Sequence, residues 1–358
     1  MRRKNLTAIK KVKKKNLLLN NPKIRNFYLK FKQVVYRNIK NRNFALGVSG
    51  GSDSLSLAYF SKIYSYEFGN KIHALIVDHK LRKESKKEST KVKNILKKKG
   101  IPNVVLSWKG KIPSSNIQKN ARDMRYALMS KFCARKKIKY LITAHHADDQ
   151  IENFFKRLSR GSGVTGLSSM PINLKYSKNL RIIRPLLNFK KKDLKYVTIK
   201  YFKNFIKDPS NNNERFLRIK IRKLNKILMK ESKIFDFNKI KKTIDNITSA
   251  STALAFYKSK AMQKFARPLP NVNKTNSTKY LIDRNIFHDE AEEIIFKLFS
   301  DILSQVSASY YPPRSRKVVN LINRLRVNDI HKSTLGGCIV ESKPKYILIS
   351  KELKTTKT

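Results

Sequence analysis

The chain has 358 residues, 40% of them hydrophobic, which suits two or three domains with buried cores and argues against a disordered protein. Its 81 Lys+Arg against 24 Asp+Glu give a formal charge of +57, a field that favours a polyanionic partner, nucleic acid first. Codon bias in an AT-rich genome also enriches lysine, so charge alone does not identify the partner. Cys133 and Cys338 stand far apart and form no C-x-x-C pair. That argues against a disulfide scaffold, a zinc ribbon or an iron–sulfur centre and fits a reducing cytosol. No apolar run approaches the ~20 residues of a membrane span, and Leu17-Leu18-Leu19 is too short for a signal-peptide core of about 7–15 residues. The expectation is a cytoplasmic protein, with no membrane partner, whose residues 1–22 form a flexible basic arm.

In chain order, short apolar runs alternate with helical patterns. The runs are "FALGV" from 44, "IHALIVD" (72–78), "NVVLSW" (103–108) and "KYLITAH" (139–145). Helical spacing fills 54–67, 84–99 and 115–137 between them. Strands alternating with helices predict an α/β fold, a doubly wound parallel sheet whose ligand lies beyond the carboxyl ends of the strands. Three of those ends are polar: Ser49–Ser54, Asp78-His79, and His145-His146-Ala147-Asp148-Asp149. One such end is an ordinary turn; three on one edge predict an active-site crevice.

Beyond 160 the alternation stops. "RGSGVTGLSSMP" (160–171) is a Gly/Ser loop and "LRIIRPLLN" (180–188) a strand returning to the core. Helices are predicted over 189–206 and 214–230, split by the turn cluster "KDPSNNN" (207–213), and over 234–265. "RPLPNVNKTNST" (267–278) reads as a linker; 279–358 reads as mostly helical to 327 and then two short strands around "GGCIVESKPKYILIS". The expected division is an arm to 22, an α/β domain over 23–225, a helical region and linker over 226–278, and a small C-terminal domain from 279.

The loop "SGGSDS" carries the first chemistry. Gly50 and Gly51 let consecutive backbone N–H groups face a phosphate without a Cβ in the way. The helix that follows directs its positive end at the same anion. Ser49, Ser52 and Ser54 add hydroxyls, and Asp53 can hold a Mg²⁺ that bridges phosphates. No lysine follows the glycines, so this is not a Walker A loop. A plain Ser/Gly turn is the alternative.

This loop resembles the signature of the PP-loop ATP pyrophosphatases, which cleave ATP to AMP and pyrophosphate while adenylating a substrate oxygen. "VDHKLR" (77–82), "NIQKNARDMRY" (116–126), "TAHHADDQIEN" (143–153), "RGSGVTGLSSM" (160–170), "RPLL" (184–187) and "DPSNNNERFLRIKIR" (208–222) narrow the resemblance to tRNA(Ile)-lysidine synthases, over about 44–225. "YYPPRSRKV" (310–318) and "TLGGC" (334–338) resemble family elements more weakly.

The resemblance implies an adenine nucleotide alpha-hydrolase-like domain, a mainly helical region and a small α+β C-terminal domain. It implies a ligase that adenylates the C2 oxygen of the wobble cytidine in a CAU-anticodon isoleucine tRNA, then lets the lysine ε-amine displace AMP. ATP, Mg²⁺ and L-lysine are the expected cofactors and co-substrate; no protein partner is required, and a homodimer stays open. Catalysis is expected of Asp53, Asp149, His146 and Arg122, with Asp53 on the magnesium. Ser49, Gly50, Gly51, Ser52, Asp53, Ser54, Asp78 and His79 are expected around ATP. Arg125, Arg160, Gly161, Ser162, Gly163, Asp208, Asn211, Arg218 and Arg222 are expected on tRNA or lysine. Ile219 stands where the family carries Asn.

For "HHADD", His145 and Asp149 share a face if the helix begins early, and Asp148 or Asp149 can cap that helix. A zinc site of His and Asp is a further reading. The alternatives to the whole are another PP-loop tRNA-modifying enzyme, thiolase-like, and a non-catalytic basic RNA-binding protein. A thiolase needs a cysteine pair or cluster ligands, and the two isolated cysteines do not supply them.

Overall fold

The computed structural model describes residues 17–80, 84–110, 117–206, 217–231, 236–269, 279–309, 312–329 and 331–352. The chain divides into two compact units, Met1–Asp245 and Asn246–Thr358.

The first unit opens with a 3₁₀ turn, Leu17–Asn20, and helix α1, Pro22–Ile39. Pro22 occupies the first helical position and the Asn21 side chain accepts from the amide of Ile24, so the helix start is written in two adjacent residues. Its apolar stripe, Ile24, Tyr28, Phe31, Val35 and Ile39, is buried in the core, and Leu19 packs against the same core.

The βα alternation then follows: β1 Phe44–Gly47, α2 Ser52–Phe68, β2 Ile72–Asp78, α3 Ser85–Lys98, β3 Asn103–Ser107, α4 Ile117–Arg135 and β4 Tyr140–Ile142. After these come α5 Ala147–Leu158, the short α6 Val164–Leu167, the hairpin β5 Asn173–Ser177 and β6 Leu180–Ile183, α7 Lys191–Phe202 and α8 Leu217–Glu231. The sheet order is β3-β2-β1-β4-β6-β5, with every pair parallel except the edge pair β5–β6. The chain moves outward from β1 through β2 to β3, then returns to β4 on the other side of β1. The topological switch point therefore lies between β1 and β4, where the carboxyl ends of both strands open a crevice. The doubly wound expectation holds, and the antiparallel β5 is an addition to it.

The second unit takes the later part of α9, Phe237–Phe265, whose start belongs to the first. It continues with β7 Ala266–Leu269, β8 Lys279–Asp283, α10 Ile286–Asp289, α11 Glu292–Ser307, α12 Ser315–Arg326, β9 Lys332–Leu335, β10 Cys338–Ser342 and β11 Tyr346–Lys351. Its strands form one antiparallel sheet, β7-β8-β11-β10-β9. Leu298, Phe299, Ile302 and Leu325 from the helices bury with Val340, Ile347 and Ile349 from the sheet. The segment read as a linker thus begins with an edge strand, the place in a sheet where a proline such as Pro268 is tolerated. Residues 332–351 make three strands rather than two, turned by Gly336 and Gly337 at φ 64° and 80°. Among the described residues no helix is long and apolar enough to cross a membrane.

Candidate active site

β1 hands over to the glycine loop through one more ladder bond, Val48 N–H to Leu75 O at 2.9 Å. Gly50 sits at φ +84°, and a Cβ there would lie 2.5 Å from Cγ2 of Val92. Both the backbone sign and the space require glycine. Gly51 is the N-cap of α2, so the amides of Ser52, Asp53 and Ser54 fall in a first turn that has no intrahelical acceptors. The Ser54 hydroxyl closes the loop on itself, donating to Gly51 O at 3.0 Å and accepting from Ser49 N–H at 3.2 Å. That frees the first-turn amides, rather than the Ser54 hydroxyl, for an incoming anion. Ser52 donates to Asp53 Oδ1 at 3.1 Å.

Helix α7 braces this loop from outside. Thr198, fully buried, donates to Ser52 O at 2.5 Å, and Ile206 N–H, just past the helix, donates to Gly50 O at 2.9 Å.

Across the switch point, β4 leads to α5. His146 is its N-cap, and Asp149 in the first turn accepts from the His146 amide at 3.1 Å. This fixes the helix start at Ala147, so His145 stays outside the helix, its Nδ1 2.9 Å from Thr143 Oγ1. The imidazole facing the glycine loop is therefore that of His146. Its Nε2 lies 3.4 Å from Asp53 Oδ2 and 3.6 Å from Asp149 Oδ2, and its Nδ1 3.6 Å from Asp148 Oδ2. Burial disfavours the imidazolium, but the facing carboxylates of Asp148, Asp53 and Asp149 outweigh it and push His146 up to about 10. Burial likewise raises Asp53 and Asp148, yet His146 leaves both carboxyls below their ordinary value, Lys191 adding to the effect on each. Asp148 also accepts from the Lys191 amide at 2.8 Å, so it caps α7 rather than α5.

Asp53 keeps a quarter of its side chain exposed beside Asp149, an all-oxygen donor pair of the kind that holds Mg²⁺ together with substrate phosphates. Among the described residues no group of three or more His, Cys, Asp or Glu could hold a metal ion. The zinc reading therefore finds no donor set among the described residues, and two carboxylates would hold a Mg²⁺ only with phosphate and water oxygens completing its shell.

At the end of β2, Asp78 is buried and accepts from the Lys80 amide at 3.1 Å and from the Ser85 hydroxyl, so its Oδ1 organises the β2–α3 turn. The Nδ1 of His79 is buried with no hydrogen-bond partner among the described residues. Burial first, then the positive charge of Arg125, lowers this imidazole below its usual range, against the pull of Asp78. Arg122 and Arg125 both lie over the ring of Tyr126, at 5.2 and 5.6 Å.

Other expected residues lie apart. Arg160, Gly161, Ser162 and Gly163 follow the far end of α5, about 18 Å along the helix from His146 at 1.5 Å per residue. The loop returns at Met170, which exchanges two hydrogen bonds with the Gln150 side chain at 2.8 and 3.3 Å. Asp208 and Asn211 lie outside the described residues, as does the side chain of Arg218. Arg222 donates to Glu152 Oε1 at 2.6 Å and so fastens α8 to α5. Ile219, at the family's Asn position, is buried. Sequence reasoning passes over Glu152 and gives Asp148 only a capping role. Glu152 carries a signal, lying three residues beyond Asp149 and so on the same helix face.

A PP-loop domain model matches residues 24–229. The chain is 35% identical over 326 residues to the tRNA(Ile)-lysidine synthase of Orientia tsutsugamushi (strain Boryong), covering 87% of this chain and 70% of that protein. Its identity to the tRNA(Ile)-lysidine synthase of Wolbachia pipientis wMel is 33% over 318 residues, covering 87% and 71%. Among solved structures, the U34-tRNA thiolase NcsA from Methanococcus maripaludis superposes with TM-score 0.54 at 18% identity, covering 63% of this chain and 80% of that one, a likeness of fold alone. The glycine loop and its facing carboxylates thus lie within the matched residues, and the chain belongs to the tRNA(Ile)-lysidine synthase family.

Proposed function

We propose that this protein forms lysidine on tRNA at the expense of ATP, acting on the wobble cytidine of an isoleucine tRNA with a CAU anticodon. The observation that carries the reading is the meeting of Asp53 on the glycine loop with the His146–Asp149 segment at the switch point.

In the first step the cytosine C2 oxygen attacks the α-phosphorus of ATP. A C2–O–P bond forms and the bond to pyrophosphate breaks. The first-turn amides of α2 bind the phosphates and the glycines let the backbone approach them. Asp53, beside Asp149, would hold a magnesium ion, which would supply charge neutralisation to the phosphates. In the second step the lysine ε-nitrogen attacks C2, the C2–O bond breaks and AMP leaves. Free lysine has a pKa near 10.4, so its amine must shed a proton at neutral pH. The carboxylate of Asp149 is the group assigned to the amine. His146 holds the Asp53 and Asp149 carboxylates together across the crevice. The reading needs no protein partner, and the basic surface supplies phosphate contacts whose strength falls with salt.

Purified protein, an unmodified isoleucine tRNA transcript with a CAU anticodon, ATP–Mg and labelled lysine should yield labelled tRNA with AMP and pyrophosphate. Bound tRNA without label under these conditions overturns the enzymatic reading in favour of a non-catalytic RNA-binding protein. The thiolase alternative finds no support in Cys133 or Cys338, which are both buried and belong to different units.

A further inference from the structure

Helix α9 presents two unlike faces in the second unit. Leu254, Ala261, Met262 and Phe265 pack into the core. Away from that core, Phe256 on the far side and Tyr257 on the flank are 57% and 58% exposed, their rings edge-to-face with centroids 5.6 Å apart. Lys260, also exposed, holds its Nζ 4.9 Å from the Phe256 centroid. Neighbouring aromatics left in water cost hydrophobic free energy and call for an occupant.

We propose that Phe256, Tyr257 and Lys260 form a stacking site for unpaired nucleotides of the RNA substrate, the two rings taking base faces and the lysine a flanking phosphate. The proposal rests on the tRNA reading above and adds to it a recognition mode outside the catalytic crevice. Charge complementarity selects the occupant. From Asn246 to Phe265 the chain carries no acid; Lys258 and Lys264 pair with Asp301 and Asp289, Lys260 lies beside the rings, and from 246 to 358 the chain carries 19 Lys+Arg against 9 Asp+Glu. A second copy of the same basic unit would be repelled, whereas a polyanion with exposed bases supplies both the π-face and the charge the patch lacks. Stacking also tolerates any base, so the site would hold a splayed loop nucleotide without reading its edge.

The test uses the full chain and an unmodified CAU isoleucine tRNA transcript, with affinity measured over a salt series. The double variant Phe256→Leu/Tyr257→Leu keeps apolar area but removes both π-faces; it should bind about 10- to 100-fold more weakly, with the salt slope unchanged. Phe256→Trp/Tyr257→Trp should restore affinity. Lys260→Gln should flatten the slope by roughly 0.7–0.9, the mark of one lost phosphate contact. Wild-type affinity in the leucine variant overturns the proposal. So does a wild-type dimer that Phe256→Ala/Tyr257→Ala dissociates without loss of tRNA affinity, which would make a second copy the occupant. Lysine incorporation separates the two readings. A wild type that makes no lysidine, yet binds tRNA through these rings, loses the catalytic reading and keeps this one. A leucine variant that makes lysidine with unchanged KM for tRNA keeps the catalytic reading and overturns the stacking site.

Discussion

The two units both bury hydrophobic cores and differ in what else they bury. Every buried polar or charged side chain among the described residues belongs to the first, including Ser52, Ser54, Asp78, His146, Asp149, Glu152 and Thr198. The second buries aliphatic and aromatic groups with one thiol, Cys338, which donates to Leu303 O. A parallel sheet turns all its carboxyl ends to one edge, and a switch point there must be lined with groups that bind and react. An antiparallel sheet packed against helices has no such edge, so its core needs only volume. The lesson is that chemistry in the first unit is interior, while whatever the second contributes lies on its surface.

The largest test of this contrast is Asp53→Asn. It keeps the side-chain shape and removes the charge facing His146, and it should lower lysidine formation by at least about 100-fold while leaving tRNA affinity within about 2-fold. Activity near wild type would place the chemistry elsewhere. Glu152→Ala comes next, on stability. It leaves Arg222 without its partner where Glu152 is 7% and Arg222 23% exposed. Breaking a fully buried pair costs about 3–5 kcal/mol; partial solvation of Arg222 places the expected loss nearer 2–3 kcal/mol in denaturant unfolding.

The pH dependence of the same cluster is smaller and has a definite sign. His146 is raised from 6.5 to about 10, so its contribution is full below 6.5 and is lost as pH rises towards 10. Asp53 and Asp148 lie below their ordinary 3.8, so theirs is present above that value and is lost as pH falls through the lowered one. The cluster therefore stabilises most between about 4 and 6.5. Thermal midpoints of the wild type should fall from pH 6.5 to 10 relative to His146→Gln, and parallel curves would show that the imidazole does not feel the carboxylates.

Much of this is legible in the sequence, for reasons that differ by residue. The strand ends and glycine loop can be read because Gly50 is imposed by a backbone sign and by the approach of Val92, constraints that leave a mark in a single residue. The family resemblance points to His146, but the residue pattern alone does not separate it from His145, because the choice turns on where α5 starts, and a hydrogen bond from the His146 amide to Asp149 decides that. Capping by one of the two aspartates is expected from their place before the helix; that Asp148 caps a helix beginning at Lys191 is not, since 43 residues separate them. The Glu152–Arg222 pair joins residues 70 apart, and its arginine reads equally well as a ligand contact. In the second unit, β7 and β9 escape sequence reading because short edge strands carrying Pro268 or Lys332 lack the apolar alternation that marks a half-buried strand.

The smallest effect sharpens the contrast from the other side. Lys332 and Glu341 face each other across β9 and β10 with Nζ and Oε1 3.2 Å apart, within ion-pair reach like Glu152 and Arg222. Their side chains, however, are 64% and 28% exposed. Water and salt screen such a pair, and directly opposed charges on a sheet contribute only about 0.2–1 kcal/mol. Lys332→Ala should therefore cost less than about 1 kcal/mol, and the loss should shrink further as salt shortens the screening length. If Lys332→Ala destabilised the protein as much as Glu152→Ala and did so independently of salt, the second unit would hold a buried electrostatic element after all, and the separation of interior chemistry from surface charge would fail.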